Sequence, residues 1–94
     1  SQHQVGRLRD RFDLLDADPR LASRDRELRL EDAGGFVVIR SPRAAELTRS
    51  LAARGVFTDS RGDALRLGPA PYLSDVQLDD AIAALGEALA ALRP

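Results

Sequence analysis

The run Phe36-Val37-Val38-Ile39 most constrains what this chain can fold into, because Gly34-Gly35 precedes it and Ser41-Pro42 closes it. Four consecutive β-branched or aromatic residues between such breakers predict a short strand, and their continuity predicts burial on both faces or nearly so. Ser41-Pro42 then matches a helix start. Serine suits the N-cap, and proline suits the first helical position, where its missing N–H costs nothing. Ala44, Leu47, Thr48 and Leu51 recur at helical spacing as the inward face, and Gly55 stands where a left-handed C-terminal cap is needed. A strand that feeds directly into a helix sets the pattern for the rest.

Before this unit, Val5, Leu8, Phe12 and Leu15 form one amphipathic stripe and predict a helix over about residues 4–15. Residues 16–26 contain Pro19 and scattered charges and predict a connection, with Leu21 as a candidate core plug and a weak strand following at 27–30. After the central helix, Val56-Phe57-Thr58 and Ala64-Leu65-Arg66-Leu67 predict an antiparallel hairpin turning at Arg61-Gly62-Asp63. Pro69 and Pro71 then force the chain out of the sheet. Ser74 and Gln77 make a capping-box pattern, and Leu78, Ile82, Leu85, Leu89 and Leu92 predict a helix over about 75–92.

The fold class expected is α+β: a small, three- to four-stranded, mainly antiparallel sheet with helices packed on one face. The strand at Phe36 and the one after the central helix are expected to lie parallel, with 65–67 inserted between them. All 94 residues fit one small domain, divided into an N-terminal helix (1–16), a connection (17–33) and an α+β core (34–94).

Composition closes several chemistries. With no Cys and a single His at position 3, disulfides, thiol nucleophiles and structural zinc are excluded. A net charge of −1 removes the basic field that phosphate-backbone binding needs, so no nucleic-acid partner is expected. No apolar run approaches the roughly 20 residues of a membrane span. All 14 basic residues are arginine, and there is no lysine. Any mechanism that uses a side-chain amine must find it elsewhere.

Period-two alternation places Leu65 and Leu67 on the core face of their strand and Arg66 on the opposite one. A guanidinium offers a planar fork of donors and a permanent charge, which suits an anion anchor and not a proton carrier. Asp59, Arg61 and Asp63 cluster in the expected turn, where polar residues are ordinary, and no metal site is assigned to them.

The stretches GGFVVIRSPRAAEL, ARGVFTDSRGDALRLGPAPYL and SDVQLDDAIAALGEAL resemble the C-terminal small domain of fold type I pyridoxal-phosphate (PLP) enzymes. The resemblance is to the kynureninase-like branch of the class V aminotransferase group and runs from Gly35 to Leu92. It implies that Asp59, Arg61, Leu65, Arg66, Pro69 and Pro71 match the family's D-x-R and L-R-x-x-P-x-P pattern, with Arg66 as the anchor for the substrate carboxylate. Arg61 is a second candidate for that contact. Pro71-Tyr72-Leu73-Ser74 departs from the Pro-Leu-Tyr-Asn usual in kynureninases.

The same resemblance implies a cytoplasmic, homodimeric parent enzyme, a hydrolase or transferase. A preceding large domain would hold PLP and the amino-acid substrate. This chain, a fragment inactive by itself, would hold neither a catalytic residue, a cofactor nor a metal. The other reading is a stand-alone α+β ligand-binding or protein-interaction module without catalytic activity.

Overall fold

The computed structural model describes residues 2–25, 37–68 and 74–92. In chain order the elements are α1 (Gln2–Leu14), β1 (Val37–Arg40), α2 (Ala44–Ala53), β2 (Asp59–Arg61), β3 (Ala64–Leu67) and α3 (Asp75–Ala90). The expected strand at 27–30 and the proline exit at 69–71 lie outside the described residues.

The three strands form one sheet in the order β1-β3-β2, with β3 antiparallel to both neighbours. β1 and β2 are therefore parallel with β3 between them, the arrangement expected from a helix-linked pair that receives an inserted strand. The first strand of the hairpin, however, starts three residues later than Val56-Phe57-Thr58, while β3 stands where expected. Gly55 adopts φ 83°, and the Gly55 and Val56 N–H groups donate to the Ala52 and Leu51 carbonyls at 3.0 and 2.9 Å. These bonds are a Schellman cap, so Val56 still belongs to the end of α2. Phe57 is left 84% exposed.

The hairpin itself turns on Gly62-Asp63 alone. Gly62 has φ 59° and Asp63 a negative φ, the sign pattern of a type II′ turn, which favours glycine first. A two-residue turn pairs Arg61 with Ala64, and that fixes Ser60 opposite Leu65 and Asp59 opposite Arg66. Arg61 is thus a strand residue and not part of the turn.

One face of the sheet is buried. Val37, Ile39, Leu65 and Leu67 are all below 5% exposed and join Leu47 and Leu51 of α2, Val5, Leu8 and Phe12 of α1, and Leu78, Ile82 and Leu85 of α3. Helices α1 and α2 pack on the sheet, and α3 packs on both. Val38 is only half-buried, so β1 alternates and is not enclosed on both faces. The described helices cover one side only, which explains the difference.

Helix starts follow local chemistry, with one correction. Ser74 and Gln77 form a complete capping box at α3. Ser41 does not cap α2, which begins at Ala44 after Arg43. Its buried hydroxyl instead accepts the Arg43 N–H at 3.0 Å in the turn leading into the helix. In the 16–25 connection Ala22, not Leu21, is buried, and Ser23 exchanges backbone hydrogen bonds with Arg40 of 3.0 and 2.7 Å. That bridge lengthens the β1 edge of the sheet by one residue pair.

Ion pairs clamp α1 onto α3. Arg7 donates to both carboxylate oxygens of Asp79, at 2.9 and 2.7 Å, while Arg11 lies 3.5 Å from the same group. His3 sits 3.1 Å from Asp75. The hydrogen bond from Arg7 holds the Asp79 carboxyl below its ordinary range. A carboxylate depressed in the folded state stabilises the fold above its unfolded pKa, about 4, and that contribution is lost as pH falls through the lower folded value. Asp79→Asn is expected to lower the thermal midpoint at about pH 7 and to make little difference at about pH 2. Unfolding followed by circular dichroism at both pH values checks this, and an equal deficit at both would refute it.

Candidate functional site

The side of the sheet that no described helix covers follows directly from the register. Val38, Arg66 and Asp59 form one cross-strand row, and Arg40, Ala64 and Arg61 form the next. Each of these residues is exposed or half-buried. Three arginines and one carboxylate thus project from the six residues of these two rows, with alanine the small residue between two of the arginines.

Arg66 stands on the middle strand, the position farthest from either edge. Its side chain is 43% exposed, and its Nη2 donates to Oδ2 of Asp59, which faces it across the hairpin. Along the next row, Nη1 of Arg40 donates to Oδ1 of Asp63, the second turn residue, at 3.2 Å. Arg61 is exposed two residues along β2 from Asp59, on the same face. Among the described residues no carboxylate is paired with it. Both arginines singled out from the sequence therefore share one surface, on neighbouring strands.

Such a surface offers an anion fixed positive charge. Diagonal side chains on adjacent strands lie about 7–8 Å apart at Cα, within reach of arginine stems. Arginine neither loses its charge nor exchanges its proton at physiological pH, so these arginines can hold and orient a carboxylate but cannot perform acid–base chemistry. Among the described residues no group of three His, Asp or Glu side chains is placed to hold a metal ion.

Sequence reasoning missed Arg40 as a member of this face. The signal was present, since alternation along Val37-Val38-Ile39-Arg40 already sets Arg40 opposite the buried pair. It also placed Asp59 in a turn instead of opposite Arg66, because cross-strand register is not written in either strand alone.

The other carboxylate–arginine groups are structural. Arg24, 11% exposed, donates to both oxygens of Asp13 at 2.9 and 2.6 Å and ties the connection to α1. Asp18 accepts from the Arg20 side chain and backbone in a local turn, and these bonds hold its carboxyl low. A cavity of about 470 Å³ lies on the helix-covered side, lined by Leu8, Val56, Thr58, Leu67, Leu78 and Ala84. It shares no residue with the arginine face.

A family model described as the kynureninase C-terminal domain matches residues 18–85, more than half of the chain. The chain belongs to the kynureninase C-terminal domain family. No curated protein and no solved structure matches it. For this kynureninase-type domain the match takes in the whole sheet, α2 and most of α3, together with Ala22 and Ser23 beside β1. It leaves α1 outside, although Val5, Leu8 and Phe12 are part of the common core. Asp59, Arg61 and Arg66 all fall within it.

The two faces of β3 call for opposite responses to truncation. Leu65→Ala removes a fully buried side chain and is expected to destabilise the 94-residue chain by about 2–5 kcal/mol. Arg66→Ala removes an exposed ion pair and is expected to cost under about 1 kcal/mol. Urea unfolding of the two variants tests the assignment of faces, and a larger loss for Arg66→Ala would reverse it.

Proposed function

We propose that this domain serves a PLP-dependent, kynureninase-like enzyme by presenting Arg66 as the anchor for the α-carboxylate of an amino-acid substrate. One observation carries the reading: within the segment that matches the kynureninase C-terminal family, Arg66 is the arginine on the middle strand of the uncovered sheet face. A fixed guanidinium there offers a carboxylate two parallel N–H donors and a charge that does not titrate. Arg61 and Arg40 on the same face add to its attraction for an anion.

The residues present do not fit covalent attachment of PLP. That bond requires a lysine amine, and all 14 basic residues here are arginine. PLP supplies the electron sink in such enzymes. In this proposal a separate large domain holds it in a cytoplasmic, homodimeric parent, and the present chain contributes binding and orientation. Clamping the carboxylate fixes one end of the amino acid, so that rotation of the remaining bonds is set by the other domain. That positioning is worth rate without any proton or electron passing through Arg66.

In the protein that joins this domain to its PLP-binding partner, Arg66→Ala should raise KM and lower kcat/KM by a factor of about 30 to several thousand. This range corresponds to about 2–5 kcal/mol for losing one partner of a buried charge pair. Arg66→Lys should recover only part of the loss, because an ammonium cannot make the bidentate contact. Steady-state kinetics with the amino-acid substrate decides the matter, and kinetics unchanged in Arg66→Ala would remove the anchor role.

A further inference from the structure

We infer that Asp59 is a positioning residue for Arg66, holding its guanidinium over the sheet so that it meets a substrate carboxylate already oriented; the inference rests on the anchor reading of Arg66. Several observations meet in this residue. Asp59 is directly opposite Arg66 in the hairpin register, and its carboxylate accepts from Nη2. The pair is set by the backbone, because the Gly62-Asp63 turn fixes which β2 residue faces which β3 residue. Both side chains are partly exposed, so the pair adds little to stability, and its presence there is not explained by the core.

An arginine on an open sheet face has four rotatable bonds, and immobilising such a side chain on binding costs about 0.5–1.5 kcal/mol. A tether that restrains the guanidinium beforehand removes part of that cost from the substrate's binding free energy. Arginine has five N–H donors, and the hydrogen bond to Asp59 is donated by Nη2.

The opposite role, an internal carboxylate that competes with substrate for Arg66, fits the charge pattern less well. Among the described residues of this face Arg40, Arg61 and Arg66 outnumber Asp59 and Asp63. Arg61, two residues along the same strand, offsets the repulsion between Asp59 and an arriving carboxylate. A competitor would serve best where it left Arg66 neutralised within an acidic surround, and the described surround, Arg40 and Arg61 against Asp63, is basic.

The test uses the complete enzyme, with the amino-acid substrate and an analogue that carries a carboxamide in place of the α-carboxylate. Asp59→Ala is expected to raise KM by about 3- to 10-fold at unchanged kcat, the equivalent of one rotamer-rich side chain left to be ordered. Asp59→Glu should restore most of the affinity, and inhibition by the carboxamide analogue should be the same in all three proteins. In an Arg66→Ala background, Asp59→Ala should add nothing.

If Asp59→Ala lowers KM, Asp59 is a competitor and the inference is overturned. If KM is unchanged in Asp59→Ala but rises in Arg66→Ala, positioning fails while the anchor stands. If neither variant alters KM, the anchor reading falls and this one with it. Asp59→Asn keeps the size and one acceptor of the side chain, and its thermal midpoint beside that of Asp59→Ala separates a folding defect from a binding one.

Discussion

β3 is hydrogen-bonded on both sides, so the alternation along Ala64-Leu65-Arg66-Leu67 decides which side of the whole sheet is dry. Leu65 and Leu67 go into the core with Val37 and Ile39, and no register that preserves this burial can bring Arg66 to the same side. The helices follow. α1 and α2 cover the leucine face because that is where apolar area is to be buried, and α3 closes over both. The arginine face is therefore a consequence of core packing, with Arg66 at its centre for the same reason that Leu65 is at the centre of the core.

Charge is used in two different ways in this small molecule. Bidentate pairs join α1 to α3 across 72 residues, Arg7 with Asp79, and fold the connection back onto α1 across 11, Arg24 with Asp13. They lie at the margins of buried apolar contacts, where geometry is fixed by packing. On the sheet, Arg66 with Asp59 and Arg40 with Asp63 are exposed and join neighbours that the backbone already holds together. Pairs of the second kind contribute little to holding the fold.

Arginine without lysine suits this division of labour. A guanidinium binds, orients and stays charged; it forms no Schiff base and passes on no proton. In the proposed function, such residues hold one end of a substrate whose chemistry takes place on another domain.

Much of this was legible in the sequence. The Ser74/Gln77 capping box, the Gly55 cap, the helical stripes of α1 and α3 and the outward direction of Arg66 each depend on residues a few positions apart, and local periodicity or capping fixes them. The D-x-R and L-R-x-x-P-x-P resemblance pointed to the family on the same local grounds. Three matters were settled only by tertiary structure: the start of β2 at Asp59 instead of Val56, the partial exposure of Val38, and the meeting of Asp59 with Arg66. The first depends on a Schellman cap that retains Val56 and on a two-residue turn that sets the register. The second depends on which face the helices leave uncovered. The third needs both, because a cross-strand neighbour is defined by the pairing of two strands and by no property of either alone.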